Sequence, residues 1–217
     1  MEGYHMEENR KIRNQALAEH IIKNLNTRNI TGYYADSKEE ALKIALDLIP
    51  EGSSVGWGGS ASIAEIGLKQ AIIEGNYNVI NRDICKSPEE KRQAELQCFD
   101  SDFFLASSNA ITRDGILVNI DKFANRIAAI AYGPRNVILV IGMNKVVNNV
   151  ENAVDRSRNE AASINAVRLN TETPCRNKGL CYDCKGAKSM CCQMLVTRSS
   201  GVEGRIKVIL VNDALGF

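Results

Sequence analysis

Asn136-Val137-Ile138-Leu139-Val140-Ile141-Gly142 (NVILVIG) is the stretch on which the fold turns. It holds no charge, is dominated by β-branched side chains and ends on glycine. It is too short for a buried helix and too evenly apolar for a strand with one wet face, so it predicts a strand covered on both sides. The stretches around it agree. Phe103-Phe104-Leu105-Ala106 is a second buried strand, and Ile116 to Ile120 is a third, reached through the turn Arg113-Asp114-Gly115. Gly32 to Ala35, Ser53 to Trp57 and Asn78 to Asn81 read as strands earlier in the chain, and Gln193 to Thr197 and Arg205 to Asn212 as strands later.

Helical stretches separate these runs. Residues 7–26 carry an apolar stripe of Ile12, Ala16, Ile21, Ile22 and Leu25. Asp36 or Ser37 caps a helix that runs to Leu48, with Glu39 and Glu40 in its first turn. Ser60 to Ala71 and Val150 to Ala166 read as helices, and Ser87-Pro88 opens another. Arg126 to Ala131 suits either helix or strand. Strands alternating with helices predict an α/β fold, with a mostly parallel sheet flanked by helices.

Composition narrows the class. The 217 residues suit one domain, 1–217, with a helical segment over 1–30 and a cysteine-rich insertion over 173–192. The 27 basic and 26 acidic residues leave a net charge of +1, so a nucleic-acid partner is not expected. No apolar run reaches the ~18 residues of a membrane span. The N-terminal MEGYHMEENRKIRNQ is charged and lacks the apolar core of a secretory signal. A cytoplasmic location is expected, where stable disulfides are the exception.

Three segments could carry chemistry. In Val55-Gly56-Trp57-Gly58-Gly59-Ser60, glycines follow a strand, and Gly56, Gly58, Gly59 and Ser60 could let the backbone approach an anion. It is neither a Walker loop nor a dinucleotide fingerprint, and a plain tight turn uses glycine for the same reasons. In Ser107 to Asp121, small and amide side chains gather at the end of an apolar strand, where open α/β sheets place ligands. Asn119 and Asp121 share one strand face, and Asn125 and Arg126 could hold an anion or form surface contacts. The two histidines, His5 and His20, read as surface or structural groups. A general base would more plausibly be Asp83, Asp102, Asp114 or Asp121.

The third segment holds five of the seven cysteines, at 175, 181, 184, 191 and 192. The spacing is C-x5-C-x2-C-x6-C, with one more cysteine directly after it. A central C-x-x-C with flanking cysteines can supply four thiolates to one metal or cluster. Structural zinc more often uses two separate C-x-x-C pairs, so this single run is more like a 4Fe–4S site, with zinc as the alternative. A redox C-x-x-C and a purely structural thiol cluster are further readings.

VGWGGSASIAEIGL, EGNYNVINRD, SSNAITRDGILVNIDKFANRIAAIAYGPRNVILVIGMNKVV and TPCRNKGLCYDCKGAKSMCC, in that order, resemble the lactate-utilisation (LUD) domain family, related to LutC. The likeness is closest to its stand-alone branch with a cysteine-rich C-terminal segment. It implies the fold of ribose-5-phosphate isomerase, glucosamine-phosphate deaminase and the CoA transferases. It also implies a phosphate- or acyl-binding role for Gly56, Gly58, Gly59 and Ser60, and a cleft position for Asn109, Thr112, Asp114 and Asn119. It selects Cys175, Cys181, Cys184 and Cys191 as metal ligands, with Cys192 as a spare. Two departures stand out: the CoA-transferase glutamate nucleophile has no counterpart, and Ala124 stands where the family pattern has glycine.

The resemblance implies a part in lactate or related 2-hydroxy-acid metabolism, with a small anionic metabolite as ligand. Iron–sulfur or oxidoreductase proteins and a second copy of the chain are the implied partners. An enzyme of the sugar-phosphate isomerase or CoA-transferase type with a structural metal site is a second reading. A non-catalytic metabolite- or redox-sensing module is a third.

Overall fold

The structure is a computed structural model and describes residues 6–217. His5 lies outside them. NVILVIG forms the centre of a six-stranded, wholly parallel sheet of order β1-β10-β7-β4-β2-β3. The strands are β1 (Ile30–Ala35), β2 (Ser54–Trp57), β3 (Asn78–Ile80), β4 (Phe103–Ala106), β7 (Asn136–Gly142) and β10 (Ile206–Val211). Both faces are covered, which is why β7 lacks polar alternation. Val137, Leu139 and Ile141 pack with Ala18, Ile21 and Leu25 of α1 (Met6–Asn26) and with Ala129 and Ile130 of α6 (Asn125–Ala131). Ile138 and Val140 pack on the other face against α2 (Lys38–Asp47), α3 (Ala61–Glu65) and α4 (Leu68–Glu74).

The α1 stripe is offset from the sequence reading. Ala18, Ile21 and Leu25 are buried, whereas Ile12 and Ala16 are exposed. The buried set is spaced i, i+3, i+7, the spacing that keeps one helix face on the sheet. Ser37 caps α2 by accepting from Glu40 N at 3.2 Å. Ser87 caps α5 (Pro88–Gln97) by accepting from Glu90 N at 3.1 Å. The helix expected from Ser60 to Ala71 is two short helices, because Gly67 adopts φ +76 between α3 and α4.

A second sheet, which the sequence did not separate from the first, has the order β8-β5-β6-β9. Here β5 (Ala110–Thr112) and β6 (Leu117–Asp121) form the hairpin predicted at Asp114-Gly115. They are flanked by β8 (Val146–Val147) and β9 (Gln193–Thr197). Val118 and Ala110 pack on Ala153 of α7 (Val150–Arg156). The helix predicted over 150–166 is interrupted: a π-turn at Ser157–Ala161 joins α7 to α8 (Ala162–Arg168). The cysteine segment, with α9 (Pro174–Lys178) inside it, connects α8 to β9.

Candidate functional site

From β2 the sheet is extended one way, through α3 and α4 to β3, and from β4 the other way, to β7. The carboxyl ends of β2 and β4 therefore flank a topological switch point, the place where open α/β sheets put a ligand crevice. The glycine turn after β2 and Ser107 after β4 border it.

The glycines have separate jobs. Gly56 lies within β2, where a Cβ would stand 2.4 Å from Cys98 Sγ, so its absence of a side chain makes room for the core. Burial pushes the Cys98 thiol up to about 11, which marks it as a packing group. Gly58 donates to Leu105 O (3.1 Å), and a Cβ there would meet Arg126 Cγ at 3.0 Å and Phe104 Cζ at 3.3 Å. Gly59 has nothing within 4 Å of a built Cβ. Ser60 caps α3 by accepting from Ile63 N at 3.4 Å.

Arg126 is fixed on the crevice side of Gly58. Its Nε donates to Asp121 Oδ1 (2.9 Å), and its Nη2 to Asn109 Oδ1 (2.8 Å) and Ile120 O (3.0 Å). Asp121 also caps α6 through Ile127 N at 2.9 Å. Asn109 Oδ1 further accepts from Ile120 N (2.9 Å), and Asn109 O accepts from Arg156 Nη1 (2.5 Å). Buried Asn119 has neither side-chain polar atom hydrogen-bonded.

Other expected residues lie elsewhere. Buried Thr112 accepts from Ile116 N within the hairpin (3.0 Å), and exposed Asp114 gives its carbonyl to Arg28 of the loop after α1 (2.6 Å). Asn125 ties α6 to Glu95 of α5 at 3.0 Å. Among the carboxylates named as bases, Asp102 is bound by Ser54 at the opposite end of the strands, and these bonds lower its pKa. Burial would raise the Asp83 pKa, but Lys69 and Trp57 outweigh it and hold it low. His20 is exposed and bonds Asn24.

What sequence reading missed is Lys145, just past the carboxyl end of β7. It is 2% exposed and donates to Ser62 Oγ (2.9 Å) and Ser107 Oγ (3.0 Å). Burial, with Arg156 and Arg126 nearby, brings its pKa down to about 7. It follows NVILVIG by three residues, a position that carries no local sign of burial.

The thiols form a second locus. Cys175, Cys181, Cys184 and Cys191 all line one cavity of about 220 Å³. Cys192 does not line it; it is exposed, and its backbone N–H bonds Asp121 O at 3.0 Å. Burial raises the Cys191 thiol to about 11, and the nearby Cys181, Cys175 and Cys184 add to the rise. Among the described residues, no group of three or more His, Cys, Asp and Glu side chains is drawn tightly enough to chelate one ion.

The π-turn joins the two loci. Arg156 reaches Asn109 O and pairs with Glu160 (2.9 Å). Arg158 pairs with Asp183 and its cation is favoured by Cys181. Asn159 Oδ1 accepts from Cys181 N at 2.9 Å.

A family pattern described as "LUD domain" matches residues 18–211, which is most of the chain. The chain belongs to the LUD domain family. A crystal structure of a DUF162 family protein from Deinococcus radiodurans matches this LUD protein with a TM-score of 0.52. It is 16% identical, and the match covers 91% of this chain and 98% of that one, which supports a shared fold alone. No curated protein matches. Among the described residues of this LUD protein, no helix is long and apolar enough to cross a membrane.

Proposed function

We propose that this LUD protein works in lactate-related 2-hydroxy-acid metabolism, binding a small anionic metabolite in the strand-end crevice and a 4Fe–4S cluster at Cys175, Cys181, Cys184 and Cys191. The observation that carries this reading is the cavity of about 220 Å³ that those four thiols line and Cys192 does not. Those four thiolates would hold the cluster, which would supply one-electron transfer. Arg158 beside Cys181 and Lys185 beside Asp183 offset part of the negative charge. On the crevice side, Arg126 and Arg156 supply guanidinium donors, paired with Asp121 and Glu160, that an anion would contact, and Gly58 lets Arg126 close on the turn.

Iron analysis and visible spectroscopy on protein purified without oxygen test the cluster. A brown, iron-containing protein is expected, with Cys184→Ala losing the iron and Cys192→Ala keeping it. Colourless wild-type protein free of iron would remove the cluster from the reading.

A further inference from the structure

Just past the carboxyl end of β7, a buried lysine amine sits between two serine hydroxyls. Ser62 Oγ donates its proton to Leu215 O (3.4 Å), and Ser107 Oγ donates to Ser108 O (3.3 Å). Both hydroxyls therefore meet Lys145 Nζ as acceptors, and they account for two N–H groups. An ammonium has three N–H donors; a neutral amine has two and a lone pair. Among the described residues no carboxylate pairs with Lys145, and a buried charge without a partner is costly.

The neighbouring charges point the same way. After burial itself, Arg156 and Arg126 act most strongly against a proton on Nζ, while Glu65 and Glu160 favour it less, and the pKa falls to about 7. Those two guanidiniums also define what can enter. Glu160, the partner of Arg156, is 52% exposed, so an incoming anion can take its place on Arg156. An amine near Arg156, whose carboxylate partner is exposed, suits a molecule with an electrophilic carbon next to an anionic group.

We infer that Lys145 is the nucleophile of this crevice, forming an imine with a small carbonyl compound that bears an anionic group, a 2-oxo acid being the simplest. The inference rests on the reading that the crevice binds a small anion. The Nζ lone pair adds to the carbonyl carbon and the C=O π pair moves to oxygen. The nitrogen then gives up its protons as the oxygen leaves as water, so amine plus carbonyl yields imine plus one water with no redox partner. Hydrolysis reverses the step. Leu215 and Gly216 lie over Ser62, tied by Leu215 N to Asn144 Oδ1 (3.1 Å) and Gly216 N to Glu65 Oε2 (3.0 Å), and a substrate needs them to part.

Reductive trapping of the full chain tests this, with sodium cyanoborohydride and either pyruvate or glyceraldehyde 3-phosphate as probe. Intact mass and peptide mapping locate the adduct, and calorimetry measures binding of each probe without the reductant. The expected result is one adduct per chain on Lys145, absent in Lys145→Arg, with a trapping rate half-maximal near pH 7. At that pH its neutral fraction exceeds that of an ordinary lysine of pKa ~10.4 by about a thousandfold. Mapping on wild-type protein decides the matter even if the variant fails to fold. Binding of a probe without an adduct overturns the imine and leaves anion binding standing. Adducts spread over many lysines, or a Lys145 adduct that forms only above about pH 9, also overturn it. Absence of both binding and adduct for both probes overturns the imine and the anion reading together.

Discussion

Two residues carry measurable consequences of their own. Lys145 has a folded-state pKa of about 7 against an ordinary 10.5. Between those values the unfolded chain holds a proton that the native state lacks, so stability must rise with pH across that window. Below about pH 7 both states are protonated and the slope vanishes. The full window corresponds to a difference of about 5 kcal/mol. Urea titrations of wild type and Lys145→Met from pH 6 to about pH 10 should show wild type gaining on the variant as pH rises; parallel curves would mean that the amine titrates normally. Ala124 is a separate case. It caps α6 at φ 61, a left-handed backbone that costs a residue with Cβ about 1–2 kcal/mol. Glycine removes that cost but loses more entropy on folding, by ~0.5–1 kcal/mol relative to alanine. Ala124→Gly should therefore stabilise the protein by roughly 0.5–1 kcal/mol, read as a higher urea midpoint. The family pattern's glycine before Asn125 thus has a backbone explanation independent of any ligand.

The elements separate what a sequence can state from what it cannot. Local signals held: NVILVIG as a strand buried on both faces, Ser37 and Ser87 as caps, and Asp114-Gly115 as a hairpin turn. The cysteines were legible as a group because their spacing is short and local. Lys145 was not, since a lysine following a strand has the same appearance whether it meets water or, as here, two serines brought from just past β4 and from α3 by sheet order. Periodicity also could not place the π-turn, a one-residue irregularity in an otherwise helical pattern, and such irregularities frequent functional sites. Arg156 ends α7 just before this turn and bonds Asn109 O, while Asn159 within the turn bonds Cys181 N. Asn159→Ala removes the acceptor of Cys181 N–H, a bond worth about 1 kcal/mol. Iron should leave the variant about fivefold faster, followed as loss of visible absorbance under a chelator. The melting temperature and Lys145 trapping should hardly move, because neither the core nor the crevice uses that bond.

Across the molecule, burial is uneven. The strands β7 and β10 are buried along nearly their whole length, between helices on both faces, whereas most residues from Pro174 to Cys192 are exposed or half-buried and contribute nothing to the two main cores. Local opening free energy follows buried apolar contact, so the thiol segment should open far below the global unfolding energy. It is nevertheless anchored at its middle by Cys181 N on Asn159 and at its end by Cys192 N on Asp121, whose carboxylate holds Arg126 at the crevice. A cluster bound to four thiols along this segment would close it at four points. Amide exchange by mass spectrometry should show residues 174–192 exchanging orders of magnitude faster than β7 and β10 in iron-free protein. The same residues should become protected on reconstitution, while the central sheet stays unchanged. If iron is retained and the segment still exchanges at its iron-free rate, the cluster is held somewhere else. If protection extends to Asp121 and the Arg126 turn, the Cys192 anchor carries the ordering of the thiols to the strand-end crevice.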